Sequence, residues 1–393
     1  MGVNLRVKIE KVAHGGVFVA RHEGRVIFVT GAIDGEVVDV EITEDAGKFL
    51  RATVANVVEA SEHRKPHFWK AAREGAGGAE FGHITFEHQR ELKSQVLAEA
   101  LQRMAGLEFE TKVAACPGET DGLHYRTRVQ LNVDATGTAG PMRPRSNDAV
   151  FTPNLPLAVS EIEELGIQLK NWNGVKKISI AASSTGDLQW MVDGKLNGSE
   201  RLIERAAGRT FRLTSGAFWQ VHKEAANVLT KSVFETAELL EFDASKPALD
   251  LYAGAGLFSA TMAAKYSSTN FTAVENSKQA VTDGTKSAID LSNLKFEKSD
   301  VLQYLRIASA KPGSFDTVVL DPPRSGAAGK VIDQRVKLRP RNIIYVACDP
   351  VALARDLGSL SKAGYQLKGL KSFDIFPHTH HFEAVAALTL SQP

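Results

Sequence analysis

Cys348 and Glu383 are the side chains of this sequence best suited to make and then release a covalent bond. A thiolate is a strong nucleophile, and a carboxylate can take up a proton. Cys348 closes an apolar run, 343–347, and is followed by Asp349 and Pro350. Glu383 closes the segment Asp374-Ile375-Phe376-Pro377-His378-Thr379-His380-His381-Phe382-Glu383. Upstream, apolar runs end in Asp250, Glu275 and Asp321, and a weaker run, 296–299, ends in Asp300. From Asp250 to Cys348 the intervals are 25, 25, 21 and 27 residues, each long enough for a crossover helix and a return strand. A solitary acid in such a place reads as a helix cap. Five such residues in register point to a doubly wound, mostly parallel sheet with its site at the carboxyl ends of the strands.

The first turn of that sheet reads Asp250-Leu251-Tyr252-Ala253-Gly254-Ala255-Gly256-Leu257-Phe258-Ser259. Gly254 and Gly256 allow backbone to approach a ligand at a helix N-terminus. Dinucleotide-binding turns begin in the same way, but Ser259 stands where their third glycine falls. Glu275 is placed to accept from ribose hydroxyls, and Asp300 from an adenine amino group. Acids around a pyrophosphate would repel it. The set therefore suits an adenosine without phosphates, and S-adenosylmethionine, cationic at sulfur and amine, fits.

Asp321-Pro322-Pro323-Arg324 follows the fourth run, where two prolines hold the preceding carboxylate rigidly. Methyltransferases that attack an exocyclic amine end a similar turn in an aromatic residue, and Arg324 here argues against that chemistry. A thiol plus a carboxylate beside a methyl donor solves a different problem. Carbon 5 of uracil is a poor nucleophile until a thiolate adds to carbon 6, and a base must afterwards remove the hydrogen from carbon 5. His378, His380 and His381 with Cys348 could be imagined as a zinc site, but no second cysteine is nearby and helical HExxH spacing is missing, so no metal is expected. Cys116 reads as an inert buried thiol.

These residues need elements to hold them, and 393 residues with 43% hydrophobic and 24% charged side chains suffice for two or three globular domains. Lys plus Arg is 47 and Asp plus Glu is 46, so bulk charge does not announce a nucleic-acid partner. Two cysteines cannot build a disulfide framework. No apolar run approaches the roughly 18 residues of a membrane span. Charges from Arg6 to Arg25 interrupt the stretch where a signal peptide would need apolar residues, so a cytoplasmic protein is expected.

Residues 1–61 contain five short β-like segments, 5–9, 17–20, 25–29, 37–42 and 51–58, punctuated by glycine. So many strands in so short a stretch imply a small closed barrel of the OB type. Residues 62–215 form a strand-rich central domain, and 216–393 the doubly wound domain. Within the central stretch, helical periodicity over 87–107 predicts one amphipathic helix that docks two domains together. Arg64, Lys65, Lys70 and Arg73 interleave with His67, Phe68 and Trp69, a pattern able to pair with phosphate and stack on bases. A solvated linker is the alternative. Arg126 with Arg128, and Arg143 with Arg145, repeat an i, i+2 spacing that suits a sugar–phosphate backbone. An exposed polar sheet face is the alternative there. Arg324 joins these as a candidate RNA contact.

The chain resembles the S-adenosylmethionine-dependent RNA uracil-5-methyltransferases that act on transfer and ribosomal RNA. The resemblance runs from a TRAM-type barrel at the amino terminus to Glu383. It is most specific at Asp321-Pro322-Pro323-Arg324, at Cys348-Asp349-Pro350 with Leu353-Ala354-Arg355-Asp356, and from Phe376-Pro377 to Glu383. It implies cofactor contacts from Gln220, Tyr252, Glu275, Asp300 and Asp321, with Cys348 as nucleophile and Glu383 as proton acceptor. Leu257 stands where some relatives have Asn, and Ala76-Gly77-Gly78-Ala79 stands where several ribosomal members carry the Cys-Gly-Gly-Cys ligands of an iron–sulfur cluster. The expectations are therefore an RNA substrate with an unpaired loop uridine, S-adenosylmethionine, no iron–sulfur cluster, no membrane and no obligate protein partner. A non-catalytic RNA-binding relative would be expected to lose Cys348 or Glu383. A methyltransferase for a non-RNA substrate would need neither the barrel nor the paired arginines.

Overall fold

The computed structural model describes residues 4–143, 146 and 148–391. Strands β1 (Asn4–Ala13), β2 (Val17–His22), β3 (Arg25–Thr30), β4 (Val37–Asp45) and β5 (Phe49–Glu59) close into a barrel in the order β1-β2-β3-β5-β4. Period-2 alternation does the sorting. Val7 and Ile9 turn inward with Phe18, Ile27, Val29, Val38 and Val40, while Arg6 and Lys8 stay in solvent. Closure leaves no unpaired edge, as so small a sheet requires.

The helix Phe86–Ala100 continues through a widened π turn, Leu101–Ala105, and stops at Gly106 with φ +65. Its apolar face serves two cores. Leu92 packs into the barrel, and Leu97 packs into the doubly wound domain. Between them Lys93 forms a fully buried ion pair with Asp374 at 2.6 Å. An uncompensated charge there would be costly, so the pair specifies how barrel and sheet meet.

The central region holds an antiparallel sheet in the order β11-β10-β9-β7-β8, made of β7 (Arg128–Val133), β8 (Ala139–Gly140), β9 (Lys177–Ala182), β10 (Leu188–Val192) and β11 (Lys195–Gly198). The hairpin β12 (Arg201–Ala206) and β13 (Arg209–Thr214) departs from it. Leu202, Phe211 and Leu213 pack into the core of the following domain, and the Thr214 amide donates to Asp283 at 2.9 Å. The short strand β6 (Val113–Ala115) likewise joins the large sheet. Both come from within the stretch 62–215, so the chain crosses between units more often than its composition suggests.

That large sheet runs in the order β16-β15-β14-β17-β18-β20-β19-β6, with β14 (Ala248–Leu251), β15 (Phe271–Glu275), β16 (Leu294–Lys298), β17 (Thr317–Leu320) and β18 (Asn342–Ala347) parallel. Strand β20 (Glu383–Leu390) lies antiparallel between β18 and β19 (Tyr365–Asp374). Helices Leu257–Lys265, Lys278–Ser287, Val301–Ala308, Ala328–Leu338 and Pro350–Lys362 cover its faces. Ile343 and Tyr345 face one core while Ile344 and Val346 face the other, which is why this strand reads as an unbroken apolar run. The strand order reverses around β14, the place where such folds open a crevice.

Candidate active site

The crevice is a cleft of about 780 Å³ lined by the 215–221 segment, the 252–257 turn, Glu275, the 321–324 turn, Cys348, Phe376, His381 and Glu383. Its floor is the turn after β14. Tyr252 has φ +62, Gly254 +56 and Gly256 +84. Gly256 is required twice over, since a Cβ would also lie 2.6 Å from the Phe296 ring. Glu275 braces this turn, accepting from the Gly254 amide at 3.0 Å and the Ser277 amide at 2.7 Å. Each of its oxygens keeps a further lone pair for a ligand.

Asp250 sits inside β14 rather than at its end, so the sequence-based placement is off by one residue. Its Oδ2 accepts from the Ser259 amide at 3.0 Å, and its buried Oδ1 has no partner. Burial raises its pKa to about 7, with the charge of Glu275 adding to the effect. Asp321 is likewise raised to about 7, by burial and by Asp250. Asp321, half-buried on the cleft wall with Asp250 buried behind it, is an acid that a cationic ligand would favour in its charged form, so the lining fits a sulfonium nucleoside. Gln220 lines the same cleft. Asp300 does not line the cleft: its side chain caps the helix Val301–Ala308, accepting from the Gln303 amide at 3.0 Å. That cap engages one carboxylate oxygen, Oδ1, and the strand before it stops two residues earlier, at Lys298.

Strand pairing brings Cys348 and Glu383 together. Ala347, the last residue of β18, pairs with Ala384 of β20, so the nucleophile candidate follows one partner and the base candidate precedes the other. Burial pushes the Cys348 thiol up to about 12, and Glu383, Asp321 and Asp349 add to it while Arg324 opposes. Glu383 is buried, and its pKa stands well above the ordinary carboxylate range through burial and the charge of Asp321, again opposed by Arg324. Arg324 is exposed and is the one Lys or Arg among the residues lining the cleft. Asp349 caps the helix Pro350–Lys362 through the Ala352 amide at 2.7 Å.

The basic residues singled out in the sequence part company here. Arg64 is held by buried Glu36 at 2.5 Å, and Arg128 by buried Glu204 at 2.6 Å and by the Ala182 carbonyl. Both guanidiniums brace the fold instead of facing outward. The strand expected to present Arg126 and Arg128 together begins only at Arg128, and Arg126 lies over its neighbour Tyr125. Arg143 is exposed and donates to the Glu74 carbonyl at 2.5 Å, Lys65 is half-buried, and Arg145 lies outside the described residues. The reason is general: i, i+2 spacing says nothing about which acid a fold will bring opposite.

His378 donates through Nε2 to the Asp121 carbonyl at 2.7 Å and accepts at Nδ1 from Gln89 at 3.0 Å, which makes it a wall and not a metal ligand. His63, His88 and Glu91 gather elsewhere, but both His88 nitrogens already face carboxylates, Asp34 at 3.0 Å and Glu91 at 2.7 Å. Ala76 and Ala79 are buried against Trp69, Tyr125 and Val150. A site lined by methyl groups does not fit an iron–sulfur cluster, which needs thiolates. Cys116 is buried in another core, its thiol pushed up by burial and nearby acids. Sequence reading gave no role to Phe218, a large apolar side chain 74% exposed among the cleft residues, and considered His381, which also lines the cleft, only as a metal ligand.

A model of the tRNA (uracil-5-)-methyltransferase family matches residues 178–391, and a TRAM domain model matches residues 2–55. An RNA methyltransferase of Streptomyces avermitilis is 37% identical over 432 residues, covering 99% of this chain and 98% of its own. The 23S rRNA (uracil(1939)-C(5))-methyltransferase of Pseudomonas fluorescens is 29% identical over 435 residues, covering 100% of this chain and 95% of its own. The crystal structure of Pyrococcus abyssi tRNA (uracil-54, C5)-methyltransferase with S-adenosyl-L-homocysteine shares the fold, with a TM-score of 0.75 at 21% identity, covering 98% of this chain and 100% of that one.

Proposed function

Because this chain belongs to the tRNA (uracil-5-)-methyltransferase family, we propose that it methylates carbon 5 of a uridine in transfer or ribosomal RNA through a covalent adduct on Cys348. It is an S-adenosylmethionine-dependent RNA methyltransferase. The observation that carries the mechanism is the shared cleft: Cys348, which follows β18, and Glu383, which opens β20, line it together with Asp321, Glu275 and the 252–257 turn.

Gly254, Gly256, Glu275 and Gln220 are assigned to hold the nucleoside, and Asp321 to face its cationic end. The bound cofactor supplies an electrophilic methyl carbon that leaves its sulfur. Cys348, as thiolate, adds to carbon 6 of the uracil, and the 5,6 double bond shifts its electrons toward the 4-carbonyl oxygen. Those electrons return through carbon 5 as it forms its new bond to the methyl carbon. Glu383, as carboxylate, then takes the hydrogen from carbon 5, the double bond re-forms and the thiolate departs. A permanent cation beside both groups favours their charged forms, and Arg324 supplies one.

The target uridine must leave its stack to reach Cys348, so an unpaired loop is the substrate we assign. The test is to map 5-methyluridine in transfer and ribosomal RNA from a strain lacking the gene. One uridine should lose its methyl group and regain it with the wild-type gene but not with Cys348→Ala. Unchanged maps in both RNA classes would refute the reading.

A further inference from the structure

A turn of the barrel reaches the reaction centre. His14, Gly15 and Gly16 join β1 to β2, and the His14 imidazole places Nε2 2.9 Å from Oδ2 of Asp349, the residue after the nucleophile. The other carboxylate oxygen, Oδ1, caps the helix Pro350–Lys362. Gly16 packs so closely on His380 that a Cβ would lie 3.0 Å from that residue's own, and His380 precedes the cleft residue His381. One hairpin thus touches both loops that lead into Cys348 and Glu383.

We propose that His14 is a positioning residue for thiolate addition: from the barrel it holds Asp349 and offsets the negative charge that would otherwise oppose a thiolate at Cys348. The inference rests on Cys348 being the nucleophile. Asp349 is one of three carboxylates whose charge disfavours that thiolate, with Glu383 from β20 and Asp321 after β17, while Arg324 favours it. Losing even one of these negative charges matters when the counter-charge is so thin. Other charged groups around the turn are engaged elsewhere: Lys93 lies against it but pairs with Asp374, and His380 faces Glu80 at 3.8 Å. The hydrogen bond to Asp349 raises the His14 pKa although burial opposes it. For Asp349 burial works upward, but the bonds from His14 and the Ala352 amide prevail and hold it below the ordinary carboxylate range. Both shifts favour the charged form of their group.

The test measures the alkylation rate of Cys348 by iodoacetamide in the full-length protein between pH 6 and 9, read by peptide mass. The proteins are the wild type, His14→Gln, Asp349→Asn and the double variant, each with a melting curve. Gln keeps a hydrogen-bond donor without the charge, and Asn keeps the helix cap without the charge. His14→Gln should slow alkylation about threefold or more at pH 7, as expected when a counter-charge near a thiolate is lost. Asp349→Asn should speed it, and adding His14→Gln to that background should change nothing further. Attachment to 5-fluorouridine RNA should follow the same pattern. A wild-type rate in His14→Gln would overturn the proposal, as would equal slowing with and without Asp349, which would mean that His14 acts through folding alone. If full alkylation of Cys348 left methyl transfer intact, the nucleophile assignment itself would fail, a result separate from either.

Discussion

Cys348 and Glu383 flank one cross-strand pair and line one cleft: β18 ends at Ala347, Ala347 pairs with Ala384 of β20, and Cys348 follows the first while Glu383 precedes the second. Residues opposite one another in an antiparallel pair project to the same side. The fold thereby delivers a thiol and a carboxylate to one wall of the cleft without a flexible loop between them. Their chemistry separates by order of action. Cys348→Ala should form no covalent RNA adduct and no product. Glu383→Gln should add and transfer the methyl group, then stall with RNA attached, because loss of a general base typically slows its step about 100- to 10,000-fold. A denaturing gel with labelled RNA distinguishes them; no shifted band with Glu383→Gln, together with full activity in Cys348→Ala, would reverse the assignment.

Acidity at this wall makes a second expectation. The Cys348 thiol, up at about 12, is overwhelmingly protonated in the free protein at neutral pH. Its alkylation rate should therefore climb about tenfold per pH unit from pH 7 to 9 without levelling. Arg324→Gln removes the one cation that lowers this value and should slow the reaction throughout that range. A plateau below pH 9 in the wild type would show that the thiolate is stabilised by something other than Arg324.

Asp250 ties stability to pH. Burial raises its folded pKa from an ordinary 3.8 to about 7, so the folded protein binds this proton more tightly than the unfolded chain. The resulting stabilisation is complete below about pH 4 and is lost as pH rises through 7, at no more than about 1.4 kcal/mol per pH unit for one group. Asp250→Asn keeps an acceptor for the Ser259 amide and abolishes the titration. The melting temperature of the variant relative to the wild type should rise between pH 5 and 7.5; a constant difference would mean that Asp250 remains ionised in the fold.

The Lys93–Asp374 pair predicts a marked asymmetry between single and double substitutions. Lys93→Met leaves a buried carboxylate without its partner, at a cost of about 3–5 kcal/mol. Adding Asp374→Leu should restore most of that loss, because two apolar side chains avoid desolvating charges altogether. Urea unfolding of the three proteins reads the difference directly, and equal midpoints for the single and double variants would contradict the buried-pair account.

RNA affinity should distinguish exposed from internal arginines. Arg324→Gln should flatten the logarithmic salt dependence of binding by about one unit, somewhat less for a single strand. Arg128→Gln should leave that slope alone and instead lower the melting temperature, since Glu204 would be buried unpaired. Filter binding at a series of salt concentrations checks both.

The parallel sheet was legible from the sequence because its strands are buried on both faces, so 248–251, 317–320 and 342–347 stand out as apolar runs of the right length and spacing. The barrel was legible from its alternation and glycine turns. The residues that end those strands, Glu275, Asp321 and Cys348, were therefore placed on one crevice by sequence alone, and Glu383 by the motif that precedes it. What sequence could not determine is which charge meets which. Arg64 and Arg128 are committed to Glu36 and Glu204, Asp300 to a helix end, and His14 to Asp349, each through a partner brought near only by the packed fold. Hydrophobic periodicity is local and survives in a one-dimensional reading. Electrostatic pairing between distant segments depends on three-dimensional proximity, and tertiary structure alone decides it.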